Sequence, residues 1–441
     1  MDFDIGIFLL FCYNIFMDIL IFPNFVVEIG KAFLSLWWVW LPIFLFIIFF
    51  GSWMYYIQRK WWMNIKWVLL EVKPPKEIEQ SPRIAEAFFA GIYALMGTVS
   101  TKFEKYFLGV CQHYMNIEII GIDGQIRFLL RMPAVHRNFV ESKIYAEWPK
   151  AEIYEAKDYV DDLLPGVLGK DWDLWGAMLG LARPNPYPIR TYVDFVDLLP
   201  KQPFVDPVAN FMEFLSKFGP GQRAWMQIYV RPAPDSWVEE GKQTVAKLIG
   251  RAAPAKQGFF LGEVFGWLDA LRAVITEMVY GTVEPLGAAT KEESKYPSMM
   301  QFMSPGEKEV VEAIERKISK KAFEFKIQFI YMAKKDIFSR PTVAGAFGFF
   351  NQFAALNMNG FKPYPQYTTK AYYFLADQRL TLKQKIILRL CRMRSFWEKG
   401  AILNAEELAT VWHFPTIVVE APMVPQVEAK KGGPPAELPV V

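Results

Sequence analysis

The sequence predicts an α+β fold carried behind an N-terminal transmembrane helix, and three features lead there. One is a long uncharged run near the start, with aromatic residues at both ends. Another is a hairpin signal, two apolar runs around Asp123-Gly124. The third is the recurrence of strand-like segments beside helices that open on capping residues. The 441 residues give ample material for more than one core. A net charge of +3 is too small to imply a nucleic-acid partner by itself.

Residues 1–35 are apolar, but Asp2 and Asp4 stand where a signal peptide would carry Lys or Arg. Asn14 and Asp18 lie four apart, on one side of an otherwise apolar helix. This segment is read as either a second span or a helix lying in the interface. The transmembrane helix proper is placed at 36–58. Its run Leu36–Ile57, "LWWVWLPIFLFIIFFGSWMYYI", has no charge, and as a helix it reaches about 33 Å, enough for a hydrocarbon core.

Trp37, Trp38 and Trp40 mark one headgroup level of that span, and Trp53, Tyr55 and Tyr56 the other. Arg59 and Lys60 follow at once, then Lys66, Lys73 and Lys76, whereas Lys31 is the only basic residue before the span. A basic flank stays inside, which puts the bulk of the chain on the cytoplasmic side of a cytoplasmic membrane. Three cysteines offer no disulfide framework, in keeping with that side.

Beyond the span, 59–80 reads as a basic linker, 81–255 and 256–415 as two α+β subdomains of ferredoxin-like kind, and 416–441 as a proline-rich tail. Ser81 and Pro82 suit a helix start. The hairpin around Asp123-Gly124 comes next, then an amphipathic run over 135–146 and an extended piece over 151–154. "WMQIYV" (225–230) reads as a strand, with Ser236 and Glu239 as the capping box of the helix after it. Ser304 and Glu307 form a second such box, before the alternating strand "FEFKIQFIYMA" and a helix carrying "FGFFNQFAALN". The apolar stretch "GFFLGEVFGWLDALRAVITEMVYG" holds Glu263, Asp269, Arg272 and Glu277, and reads as a packed helix rather than a further span.

The chain offers little chemistry. "LPGVLGKD" approaches a phosphate loop but has Pro165 for the first glycine and Asp171 for the hydroxyl, where a carboxylate would repel phosphate. His113, His136 and His413 are scattered, without metal-ligand spacing. No nucleophile motif surrounds Cys111 or Cys391. No catalytic, cofactor-binding or metal-binding residue is therefore assigned, and the expectation is a protein that is not an enzyme.

Two stretches read as binding elements. In "RLTLKQKIILRLCRMRSFWEKG", a helix starting at Thr381 and Gln384 carries the apolar stripe Leu382, Ile386, Leu390, Met393 and Trp397. The stripe is expected against a core, leaving Lys383, Lys385, Arg389, Arg392 and Arg394 for solvent, or for DNA, anionic lipid or an acidic partner. "ILNAEELATVWHFP" reads as a capped helix, Asn404 with Glu407, fitted with Leu408, Trp412, Phe414 and Pro415 to dock something.

These stretches carry a resemblance. "FVESKIYAEWPKAEIYEAKDYV", "EVVEAIERKISKKAFEFKIQFIYMAKKD", "FFNQFAALNMNGFKP" and above all "ILNAEELATVWHFP" resemble the membrane-anchored N-terminal module of bacterial conjugation and type IV secretion-like ATPases, the helicase and coupling-protein class. The likeness covers roughly residues 65–441, and the tail is similar to the connector that precedes a nucleotide-binding domain. No phosphate loop is read in this sequence, so ATP hydrolysis is not expected to carry over, and either the motor is a separate polypeptide or the reading frame is cut short. The resemblance implies a non-catalytic scaffold, assembled as a homo-oligomer, whose Asn404–Pro415 element docks a P-loop ATPase supplied in trans. The alternative from the residues alone is a membrane-tethered DNA-binding module using helix 381–397.

Overall fold

The computed structural model describes residues 31, 35–75, 82–95, 101–160, 166–195, 206–250, 303–373, 375–396 and 400–415. The expectations for residues 1–30, the Ser81 cap, the apolar stretch 258–281, Trp397 and the tail 416–441 lie outside them. The chain divides into two units, residues 1–64 with 100–111, and residues 65–99 with 112–441.

In the first unit, α1 (Trp37–Asn64) is long and apolar enough to cross a membrane, and none of its most apolar window is buried. It continues past Ile57 into the stretch expected to be linker. A π-helical turn, Glu104–Leu108, packs beside it. Trp53 Nε1 donates to the Tyr106 carbonyl at 3.1 Å, and the Phe50 and Tyr106 rings lie 6.0 Å apart. Gly109 closes the turn at φ +68°, and a Cβ there would stand 2.5 Å from the Ile57 backbone carbon, so only glycine fits.

The second unit is built on one sheet. β1 (Trp67–Lys73), α2 (Arg83–Leu95), β2 (Met115–Ile122), β3 (Gln125–Pro133), α3 (Arg137–Glu147) and β4 (Glu152–Glu155) come first. β5 (Trp172–Leu181), α4 (Ala209–Ser216), β6 (Gln222–Pro232), α5 (Ser236–Leu248), α6 (Pro305–Ile318), β7 (Ala322–Lys334), α7 (Arg340–Asn351) and β8 (Phe361–Thr368) follow. α8 (Ala376–Met393), β9 (Ala401–Asn404) and α9 (Ala405–Val411) complete it.

The strand order is β4-β1-β3-β2-β6-β7-β5-β8, with β9 on β7, and neighbouring strands are antiparallel. A pattern recurs in it. The first four strands lie in the order fourth, first, third, second, and the next four show that same order read inward from the opposite edge, with α5 and α6 inserted between their second and third strands. The two sets meet where β2 pairs with β6, from Met115↔Val230 to Ile122↔Arg223.

The sheet therefore does not divide near residue 255: β6 before it and β7 after it pair from Gln222↔Ala333 to Pro232↔Phe323. Nor is 59–80 only a linker, since β1 lies between β3 and β4. Its Val68, Leu69, Leu70 and Val72 are buried, and Glu71 is paired with Arg127 of β3. Hydrophobic side chains on both faces of a short strand erase the alternation that would mark it.

Alternate residues feed two cores. On one face, Phe88 and Phe89 of α2, Ile144 of α3, Phe211 of α4 and Phe350 of α7 pack over Ile117, Phe128, Ile228 and Phe329. On the other, Ile387, Leu388 and Cys391 of α8 pack over Ile120, Leu129, Trp225 and Ile330.

Local signals fared unevenly. Asp123 and Gly124 take φ of 53° and 85°, the left-handed pair of a tight hairpin turn. Ser304 and Glu307 form their capping box. Ser236 does not: it is the first helical residue, Asp235 occupies the cap, and no side-chain cap bond forms. α8 begins at Ala376 rather than Thr381, whose hydroxyl instead donates to the Asp377 carbonyl one turn back.

A single continuous sheet predicts that the second unit unfolds in one cooperative transition in denaturant, with the chain held in detergent. Trp225→Ala at the centre of the sheet lowers its stability by ~3–5 kcal/mol. Two separated transitions would show that the halves fold independently.

Candidate functional site

The element Ile402–Pro415 folds as its capping residues dictate. Asn404 Oδ1 accepts from the Glu407 amide at 2.8 Å, and Glu407 Oε2 accepts from the Asn404 amide at 2.8 Å, a reciprocal box. What it docks is this chain's own body. Leu408, Trp412, Phe414 and Pro415 are all buried, as is the whole stretch 402–415. Trp412 packs on Phe88 and Phe89 of α2, and Phe414 on Phe128 and Trp148. The correction to the docking expectation is steric: these side chains are occupied and present no surface to a second polypeptide.

Charge reinforces the seat. Glu407 is fully buried, its Oε1 accepts from the Ile189 amide at 2.8 Å, and its Oε2 lies 3.2 Å from Lys317 Nζ. Burial raises the Glu407 pKa and lowers that of Lys317, and each charge opposes the shift of the other. Lys320 bridges Glu406 and Glu86, both at 2.6 Å, tying α9 to α2. His413 satisfies both ring nitrogens, on the Ala409 carbonyl at 2.8 Å and on Asp206 at 2.9 Å.

The basic helix α8 presents the opposite picture. Arg394, expected to reach an anion, is 1% exposed and turns inward at φ 44°. Its guanidinium meets Asp158 at 2.7 Å and Glu118 at 2.8 Å. Burial pulls its pKa down, but Glu118, Tyr159 and Asp158 outweigh that and leave it raised. Lys383 is also engaged, donating to the carbonyls of Pro365 at 3.1 Å and Lys370 at 2.9 Å. Lys385, Arg389 and Arg392 are exposed and make no ion pair among the described residues.

Of the apolar stripe of α8, Leu382, Ile386 and Met393 face outward and Leu390 is half-buried. Leu382 is 59% exposed, Ile386 41% and Met393 49%, while Gln384, Ile387, Leu388 and Cys391 are buried. The reason is the sheet face below, which is partly polar. Gln384 Nε2 bonds Asp173 at 2.7 Å and the Leu174 carbonyl at 2.9 Å, and Gln328 of β7 donates to the Ile387 carbonyl at 3.0 Å. Those bonds fix the helix rotation against its own hydrophobic pattern. The aromatic and basic residues assigned to the membrane level, Trp37, Trp38, Trp40, Trp53, Tyr55, Tyr56, Arg59 and Lys60, all lie on α1.

One pairing escaped the sequence because its members are 23 residues apart. His113 Nδ1 and His136 Nε2 lie 2.8 Å from each other. No group of three metal-ligating side chains exists among the described residues. Burial, aided by His136, holds the His113 pKa down at about 4, and burial lowers that of His136.

A histidine whose folded pKa is depressed contributes stability that is complete above the unfolded value near 6.5 and is lost as pH falls through the folded value. The midpoint of unfolding should therefore drop between pH 6.5 and about 4, and His113→Gln should flatten that decline. For the buried seat, Asn404→Ala costs ~1 kcal/mol through the lost cap. Glu407→Ala costs ~3–5 kcal/mol, because Lys317 is left charged without its partner. Denaturant unfolding measures both.

No curated protein matches this chain. Residues 62–426, most of the chain, including the sheet, α8 and the buried C-terminal seat, match a domain of unknown function, DUF8128, and the chain belongs to that family.

Proposed function

We propose that the chain is a membrane-anchored, non-catalytic scaffold of a secretion or DNA-transfer machine, working with a P-loop ATPase supplied as a separate polypeptide. The observation that carries the anchoring is α1, a 28-residue helix whose apolar window leaves no side chain buried. Hydrocarbon would satisfy that surface, and exposed apolar area of this extent is costly in water. The turn packed beside it adds Phe103, Phe107 and Leu108, at 37, 47 and 54% exposure, close to Trp53. The basic flank from Arg59 to Lys73 supports a cytoplasmic body.

The repeated strand order supports two ferredoxin-like units fused edge to edge. A sheet continued across two such units suits assembly. The machine and its motor rest on the resemblance alone. Because residues 402–415 are core, a recruiting role falls to other surfaces or to the tail 416–441.

Two truncations test this. Removing 37–57 should release the chain from membranes. Removing only 416–441 should leave the body folded, and the scaffold reading expects it to lose co-purification of an ATPase that the full chain retains. Membrane release without the span deletion, or no ATPase captured by the full chain, contradicts the corresponding half.

A further inference from the structure

We propose that the outer face of α8 is a second membrane contact, which lies on an anionic lipid surface with its aliphatic side chains inserted and its cations on headgroups. The inference rests on the anchored, cytoplasmic reading above, which brings the body to the leaflet where anionic lipid is found.

Charge is the first ground. Between Asp336 and Glu398 the sequence holds nine basic residues and one acid, Asp377. That block carries +8 in a chain whose net charge is +3, so the rest is net acidic and positive potential is concentrated here. Within it Lys362, Lys370, Arg379, Lys385, Arg389 and Arg392 are exposed.

Geometry is the second. At about 100° per residue, Leu382, Ile386 and Met393 fall within an arc of about 40° on the outward side of α8. Arg379 flanks that arc on one side, and Arg389, Lys385 and Arg392 flank it in turn on the other, Arg389 about 20° beyond its edge. Exposed aliphatics along a midline with long cations beside them is the arrangement of a helix lying in a bilayer interface, where the cations reach up to headgroups. Leu375, 49% exposed, and Tyr372, 63% exposed, extend the apolar surface before the helix.

Duplex DNA would use the cations but not this midline. Phosphate contacts gain nothing from Leu382, Ile386 and Met393, and their exposure in water would go uncompensated. Lipid compensates both. Two cations are committed, Arg394 to Glu118 and Asp158 and the half-buried Lys383 to two backbone carbonyls, while the exposed Arg379 gives one N–H to the Tyr372 carbonyl at 3.2 Å.

The test uses the full chain in nanodiscs of pure phosphatidylcholine and in discs with about one lipid in three replaced by phosphatidylglycerol. Lysine acylation and methionine oxidation report the exposure of Lys385 and Met393, with the exposed Lys217 as reference. Three cations shift the docked-to-free ratio on the order of a hundredfold. Labelling of Lys385 and Met393 should therefore fall strongly in the anionic discs alone, with Lys217 unchanged. The triple variant Lys385→Glu, Arg389→Glu, Arg392→Glu, which lacks the Lys385 reporter, should enter both discs and keep Met393 fully oxidisable in each. Leu382→Ser with Ile386→Ser, which keeps every charge, should recover part of the labelling.

Equal labelling of the wild-type chain in the two discs overturns the proposal while leaving the anchor intact. Protection by duplex DNA, but not by anionic lipid, overturns it in favour of nucleic acid. A chain that enters neither disc overturns the anchor. Phosphatidylglycerol vesicles added to that soluble chain then decide the surface separately, and unchanged labelling sinks it.

Discussion

The carboxylate of Glu407 holds together parts of the chain that are far apart in sequence. It receives the Asn404 amide, the Ile189 amide and Lys317 of α6, in a place without water contact. Around it β9 is laid on β7, and α9 is packed against α2. A charge so buried is tolerated only with its bonds complete, so the neighbouring segments are fixed in one arrangement. The C-terminal element thus closes the body as its last structural piece. The surfaces left for function are those that it does not use.

How much of this was legible follows from the range of each interaction. Local signals read well. Asp123-Gly124 needs only its own backbone to form a turn, and the boxes at Ser304 and Asn404 need three residues. The long apolar helix α1 is written in composition. Signals that depend on what lies opposite read badly. Nothing within α8 says that Gln328 and Asp173 would set its rotation, so the stripe of Leu382, Ile386 and Met393 was assigned to the wrong side. Arg394 looked like one more surface cation because Glu118 and Asp158 are more than two hundred residues away. The seam between β6 and β7, and with it the unity of the sheet, was hidden by the long insertion between them.

The same lesson reassigns the functional surfaces. The motif that looked most like a fitting is structural, whereas the helix expected to cover a core keeps its apolar line in the open. Both reversals come from polar groups. Glu407 and Lys317 draw one element inward, and Gln384 with Gln328 turns the other. A chain anchored as proposed can retain an exposed aliphatic line flanked by cations, because lipid completes what water does not. On this account the span and the outer face of α8 answer to the same solvent.

Hydrogen exchange measured by mass spectrometry, on the full chain in detergent, tests the central claim about the C-terminal element most directly. The amides of 402–412 should exchange as slowly as those of β6 and β7, since they open only when the sheet does. Fast exchange there, with the sheet still protected, would mean that the element sits loosely on the surface and remains available to a partner.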